Sequence, residues 1–329
     1  MTRMEKIADI ARRMKLDQFL VFNEANIRAL AGVECDAACL TGDSVYTDFR
    51  YAAMFRRVAP WLKVKDIRRL KPRGRRIGYE PSISHSRFAQ LQAAAPKAEF
   101  VDIEESILAM RMVKTEAELA GIAAAERLNV EIWNEASAAF RPGMTERQMA
   151  NIIRHLMIDR GDGEAFSTIV SVGANAAECH HLPDDTVWDG KTPVLVDMGV
   201  KLAGFCSDLT RNIVPKPVRG LYRKVYALVQ EANRAAIAAV RPGMTASRLD
   251  RIARDIIKEG GFGSCFGHSL GHGVGYEIHE SPAISRRGKV VLEPGMVFTI
   301  EPGIYLEGNL GVRIEDMVAV TENGCRVLS

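Results

Sequence analysis

The pentapeptide Arg141-Pro142-Gly143-Met144-Thr145 returns as Arg241-Pro242-Gly243-Met244-Thr245, each time after an Ala-rich helical stretch and ahead of an amphipathic one. Pro and Gly end the preceding helix, and the threonine is placed to cap the next. In the first copy Gln148 has the spacing of a capping-box partner, whereas the second has Arg248 there. Two copies of helix, turn and helix imply two similar halves folded around a shared core. Each half then feeds strands, so residues 109–329 are expected to form an α+β domain with pseudo-twofold symmetry. Ahead of it, residues 3–15 read as a helix and 18–22 as a buried strand. Strand-like runs follow at 38–40, 44–47, 76–79 and 100–102, with a helical pattern at 86–95. Interleaving of this kind predicts a smaller α/β domain over residues 1–108. The length of 329 residues accommodates both.

Composition narrows the class further. With 47% apolar and 26% charged residues the chain is of ordinary globular type. The N-terminus leads into an amphipathic pattern (Ile7, Ile10, Ala11, Met14) with no apolar leader, and no run approaches membrane-spanning length. Cys35, Cys39, Cys179, Cys206, Cys265 and Cys325 form no C-x-x-C pair, which fits reduced thiols and a cytoplasmic location with no membrane partner. Residues 50–76 are rich in Lys and Arg, with Asp66 the single acidic residue. Aromatic residues are not interleaved through that run as single-strand binders use them, so it reads as a solvated face or a subunit contact and not a nucleic-acid site.

The chemistry concentrates in the second domain. Gly267–Glu280 carries His268, His272 and His279, three of the seven histidines, among repeated glycines. Those glycines make a helix costly, at about 1 kcal/mol each, and an extended segment fits better. In a plain strand His268 and His272 share a face and His279 points away, unless a glycine bulge re-aims it. Two hairpins supply acidic partners. A turn centred on Leu202-Ala203 places Asp197 opposite Asp208, and one at Gly308 places Glu301 opposite Glu315, with Pro302-Gly303 interrupting that ladder. Carboxylates facing each other in apolar strands repel and must be desolvated, and a cation between them resolves both costs. Oxygen-rich ligation with one imidazole and no cysteine suits Mn²⁺, Co²⁺, Fe²⁺ or Zn²⁺ in a catalytic rather than a structural site. Four carboxylates exceed the needs of one ion, so two divalent ions are expected.

These residues carry a family resemblance. Asp197, Asp208, His272 in G-H-G-V-G, Glu301 in T-I-E-P-G and Glu315 in V-R-I-E-D resemble, in order and spacing, the five metal ligands of the proline-specific metallopeptidases of the aminopeptidase P and prolidase group. The likeness extends to the smaller domain through Tyr46-Thr47-Asp48-Phe49-Arg50-Tyr51. It implies a pita-bread fold for the second domain and a creatinase-like first one. It also implies hydrolysis of Xaa-Pro bonds by a metal-bridging hydroxide, as an Xaa-Pro aminopeptidase or Xaa-Pro dipeptidase. Asp197 would then hold one ion, His272 and Glu301 the other, and Asp208 and Glu315 both. Manganese is the first expectation, with cobalt or zinc as alternatives. Glu301, His279, His268 and His180 would be the catalytic residues: Glu301 would shuttle a proton, His279 and His268 would hold the oxyanion or the substrate, and His180, rather than His181, would match a third substrate-facing histidine. Arg313 and Tyr305 stand beside ligands. Tyr276, where leucine is more usual in the family, is expected to alter the pocket. Small peptides with proline second are the implied substrates and a homodimer the implied assembly. The competing readings are a methionine aminopeptidase-like enzyme, which leaves the first domain unexplained, and a non-catalytic pita-bread binding module, in which ligands are typically lost.

Overall fold

The computed structural model describes residues 2–214, 216–217 and 219–329, and the chain divides into two compact units, Met1–Arg111 and Met112–Ser329.

The first unit is α/β. Its opening helix, Arg3–Arg13, is two residues shorter than the pattern suggests. Thr2 caps it in a reciprocal box with Glu5. Strand Gln18–Leu20 pairs in parallel with Arg76–Tyr79, which pairs in parallel with Glu99–Asp102. A second sheet joins Ala38–Thr41, Ser44–Thr47 and Lys63–Asp66. Lys63–Asp66 was not legible as a strand because its burial alternates exposed and half-buried along a charged run. Apolar side chains of both sheets and of the flanking helices, among them Ile7, Phe19, Leu40, Val45 and Ile107, share one core.

The second unit repeats itself. Helices Glu116–Ala139 and Glu146–Arg160 cover the antiparallel sheet Leu209–Ile213, Val194–Met198 and Ile169–Val172, with Ile132, Ile153, Val170 and Val196 in their core. Helices Gly220–Ala239 and Ala246–Glu259 cover the five-stranded sheet that contains Val297–Ile300 and Asp316–Val320, around Val229, Leu249, Phe298 and Val318. The repeated pentapeptide occupies the same place in each half. Gly143 and Gly243 take positive φ of 93° and 81°. Their N–H groups donate to Trp188 O and Leu292 O at 2.8 and 2.9 Å, and Thr145 and Thr245 each bridge the residue just before that acceptor, Val187 and Val291. Thr145 closes the capping box with Gln148, and Thr245 caps alone. In both halves a buried asparagine of the first helix ties down a strand: Asn129 Nδ2 donates to Met198 O and Asn233 Nδ2 to Ile300 O, each at 3.0 Å.

One expected register is corrected. Asp197 pairs with Thr210, not Asp208, because the turn residues are Ala203 and Gly204, both at positive φ (47° and 73°), as a two-residue hairpin requires. The pairing shifts by two residues, an even number, so Asp208 stays on the same face as Asp197, diagonally placed. The second hairpin has the expected register, Gly303 opposite Arg313 through Leu306 opposite Leu310, and the ladder resumes beyond the Pro302-Gly303 interruption with Ile300 opposite Asp316. Among the described residues no helix is long and apolar enough to cross a membrane.

Hairpin Gly303–Leu306 and Leu310–Arg313 packs closely under the turn Gly173–Ala177. A Cβ on Gly311 would lie 1.7 Å from the backbone oxygen of Ala176. Gly311→Ala should therefore lower unfolding stability by about 1–3 kcal/mol, read as a lower denaturation midpoint.

Candidate metal centre

Three chain segments bring the acidic residues and the imidazole together. Asp197 is the next-to-last residue of the fully buried strand Val194–Met198, and Asp208 precedes the strand paired to it. Glu301 and Glu315 occupy the two breaks in the second ladder, where Glu301 N donates to Leu270 O at 2.8 Å and Glu315 N to Thr210 O at 3.3 Å. His272 lies in the short strand Gly271–Gly273, whose pairing with Glu280–Ile284 shifts register between His272 and Gly273. That bulge returns the following chain toward the cavity: the rings of His272 and His279 meet with centroids 4.3 Å apart.

The imidazole of His272 has a defined orientation. Its Nδ1 lies 3.1 Å from Gly273 O, an acceptor only, so Nδ1 carries the proton and Nε2 presents a lone pair. Nε2 is 3.5 Å from Asp208 Oδ2 and 3.4 Å from Glu301 Oε1. A carbonyl-anchored histidine with its second nitrogen free is the arrangement metal ligation uses. Thr299 Oγ1 supports both neighbours, accepting from His272 N at 3.1 Å and donating to Glu301 Oε1 at 3.3 Å.

Electrostatics state what these atoms require. Burial, then repulsion from Glu315, Asp197 and Glu301, holds the Asp208 carboxyl far above its ordinary range. Burial, then Glu301 and Asp197, does the same to Glu315. Glu301 is pushed up to about 8, chiefly by burial, against the relief given by Arg313. Asp197 accepts from Arg313 Nη2 at 2.7 Å through Oδ2, while its buried Oδ1 has no hydrogen-bond partner. Asp208, His272 and Glu315 each offer a ligand atom within 4.8 Å of the others. Carboxylates that repel one another, an orphaned buried oxygen and an outward imidazole lone pair fit divalent cations.

Around this group runs a hydrogen-bonded frame. Arg313, buried and firmly charged, donates from Nη1 to Tyr305 OH at 2.8 Å and to Cys179 O at 3.3 Å, and from Nε to Thr210 Oγ1 at 3.0 Å. Thr210 in turn donates to Glu315 Oε2 at 2.6 Å. Tyr305 OH lies 2.9 Å from His268 Nε2, and His268 Nδ1 lies 2.8 Å from Ser269 O. His268 is thus a neutral ring with both nitrogens engaged, and burial draws its pKa down to about 4. The cavity these residues line measures about 530 Å³, and its mouth and walls include His180, His279, Phe166, Ile169, Leu182 and Ile278.

Some functional positions escaped the sequence reading. Thr210 stands two residues beyond Asp208 on the same strand face, a signal that strand alternation could have offered. Glu126, in the middle of an Ala-rich helix, carries no such signal; it is fully buried, accepts from Asp208 N at 3.1 Å through Oε2, and is raised to about 8, chiefly by burial. Tyr276 does not line the cavity: its hydroxyl donates to Glu118 Oε1 at 3.0 Å and its ring packs on Phe205 at 5.0 Å between centroids. His180 and His181 part company, His180 at the exposed mouth of the cavity and His181 buried against Glu146.

Residues 120–322 match Metallopeptidase family M24, and residues 3–113 match the Creatinase/Prolidase N-terminal domain. The chain belongs to family M24. Among its relatives is an Xaa-Pro dipeptidase of Pyrococcus furiosus, 34% identical over 99% of this chain and 97% of that protein. Among solved structures, a prolidase from Pyrococcus horikoshii superposes with a TM-score of 0.94 at 32% identity, covering 99% of this chain and 97% of the other. An X-Pro aminopeptidase from Thermotoga maritima superposes with a TM-score of 0.87 at 32% identity, covering 97% of each. The M24 unit thus has the pita-bread fold expected of it, with a creatinase-type unit ahead of it.

Raised carboxyl pKa values also set the pH response of the M24 centre. Glu301 rises from an ordinary 4.5 to about 8, so across that window the metal-free folded chain keeps a proton that the unfolded chain releases. Its contribution to stability therefore falls as pH rises, and is smallest above about pH 8. The gap in melting temperature between manganese-loaded and chelator-treated protein should widen steadily from about pH 5 to about pH 8. Differential scanning fluorimetry measures it.

Proposed function

We propose that this chain is a metal-dependent hydrolase of Xaa-Pro peptide bonds, with two divalent ions held by Asp197, Asp208, His272, Glu301 and Glu315. The convergence of those five side chains, with the His272 lone pair aimed among the carboxylates, carries the reading. It is supported by relatives named as Xaa-Pro dipeptidases and by an X-Pro aminopeptidase of the same fold. Ions bound there would lower the pKa of a shared water and polarise the scissile carbonyl, with manganese the first expectation.

The chain's own residues have the remaining tasks. The proline nitrogen of an Xaa-Pro bond has no N–H and must be protonated to leave. Glu301, beside His272, takes the proton from the attacking water and delivers it there. His279 and His180, both exposed at the cavity, hold the carbonyl oxygen as charge develops on it. His268 works through Tyr305, keeping the hydroxyl and Arg313 in place. The apolar wall of Phe166, Ile169 and Ile278 suits the proline ring. The same reading places the protein in the cytoplasm as a homodimer, and six cysteines with no C-x-x-C pair among them accord with a reducing compartment.

Substrate length follows from charge. Among the described residues lining the cavity, Arg313 is the one Lys or Arg, and four of its five N–H groups are taken by Asp197, Tyr305, Cys179 and Thr210. A dipeptide would bring a free carboxylate into this site, where Arg313 has no open pair of N–H groups left to meet it in bidentate fashion. Peptides extended or amidated beyond proline avoid that cost. With manganese, cobalt or zinc supplied, the protein should cleave Ala-Pro-Ala and Ala-Pro-amide with kcat/KM about tenfold or more above Ala-Pro, the scale of one charge-assisted hydrogen bond. Asp208→Ala should bring all three below detection. Inactivity of the wild-type protein on all three substrates with every metal would overturn the proposed function.

A further inference from the structure

Glu146, the first residue of its helix, is fully buried and belongs to no part of the metal set. Its Oε1 accepts from Val172 N at 2.6 Å and Asn175 Nδ2 at 2.9 Å, and its Oε2 from His181 Nε2 at 2.7 Å and Asp184 N at 3.1 Å. A carboxylate has about four lone-pair positions, and all are taken. Although Glu146, His181 and Asp184 lie close enough to hold an ion, Glu146 has no lone pair left for one. Because a carboxylate only accepts, His181 donates from Nε2.

Every donor to Glu146 comes from residues 172–184. Past the short turn Gly173–Ala177 that segment has no helix or strand until well beyond His181; around the histidines its backbone bonds are local, such as His181 N to Glu178 O at 3.2 Å, and the next long-range one, Arg147 N to Asp184 O at 3.1 Å, comes three residues after His181. Yet it presents His180 to the cavity, and the Cys179 carbonyl to Arg313. Adjacent histidines are sorted by this contact, His181 inward on Glu146 and His180 outward.

The fold itself does not demand the arrangement. In the other half of the repeat the residue after the threonine cap is Ala246, also buried, and that half folds on the same pattern with no carboxylate there. The device belongs to the half that carries the histidine loop.

We propose that Glu146, through its bond to His181, is the positioning residue that holds the Cys179–Leu182 segment so that His180 faces substrate. The inference rests on the reading of His180 as substrate-facing. Truncating His181 or neutralising Glu146 would let the loop relax and withdraw His180 while the five metal-binding side chains keep their own supports.

A double-mutant cycle on the manganese-loaded full chain tests this, using Ala-Pro-Ala and recording kcat, KM, metal content and melting temperature. His180→Ala should lower kcat/KM about a hundredfold, as expected for a lost transition-state donor. Glu146→Gln and His181→Phe should each lower it about tenfold or more, mainly in kcat and with metal content unchanged, whereas His181→Gln, which keeps an N–H donor, should recover most of the loss. In the His180→Ala background, Glu146→Gln or His181→Phe should cost no more than about twofold, the mark of residues acting as one unit. Should Glu146→Gln fail to fold, the His181 pair carries the cycle. Losses that multiply in the double mutants, loss of metal in either single mutant, or wild-type activity in both would overturn the proposal. If His180→Ala is itself fully active, the reading of His180 falls with it, whereas a damaged His180→Ala with multiplying losses sinks the Glu146 role alone.

Discussion

Carboxylates packed within reach of one another and out of water are mutually repulsive, and the second unit is built around that conflict. Asp208, Glu301 and Glu315 come from positions just outside a strand or at ladder breaks, where a backbone can aim a side chain inward without forfeiting its own hydrogen bonds, and Asp197 comes from within the central strand Val194–Met198. Arg313 relieves one oxygen of Asp197, Thr210 one of Glu315, and Thr299 one of Glu301. What these neutral and singly charged partners leave over is the charge a pair of divalent ions would balance. The chemistry proposed for the site and the strain it places on the metal-free fold are two aspects of that surplus.

The scaffold can bear such a site because its two halves brace it independently. Each contributes a helix pair over a sheet, with its own apolar core and its own asparagine tie to the strand beside an acidic residue. Met198, tied by Asn129, follows Asp197, and Ile300, tied by Asn233, precedes Glu301. Departures from the symmetry are then informative, because whatever one half has and the other lacks is not needed for folding. Glu146 against Ala246 is such a departure, and it lies under the loop that carries His180.

Much of this was legible in the residues. The repeated pentapeptide gave away the duplication because Pro, a positive-φ Gly and a capping Thr have few uses other than ending one helix and starting the next. The Glu301 and Glu315 pairing was readable because Gly308 marks the turn and the strands on either side are strongly apolar. The bulge at His272 followed from glycines too costly for a helix. The Asp197 hairpin was placed two residues out of register, since Ala203 gives no sign of the positive φ it adopts, and only the even size of the shift kept both aspartates on one face. Lys63–Asp66 was hidden because its lysines mask the alternation, and Glu126 because a glutamate in a helix looks solvated until the burial of its neighbours is known.

By itself the sequence determined the local events: where helices stop, which runs pair, and which five residues are candidates for a metal centre. These depend on contacts a few residues apart and on side-chain type. Only the tertiary structure decided what holds His181 away from the cavity, that Tyr276 anchors to Glu118 instead of lining the pocket, that His268 is occupied at both nitrogens, and that Arg313 has four of its five N–H groups engaged. Each of those outcomes turns on a partner distant in the chain, Glu146 for His181, Glu118 for Tyr276, Tyr305 for His268 and Asp197 for Arg313, and long-range pairings of that kind have no periodicity for a sequence to display.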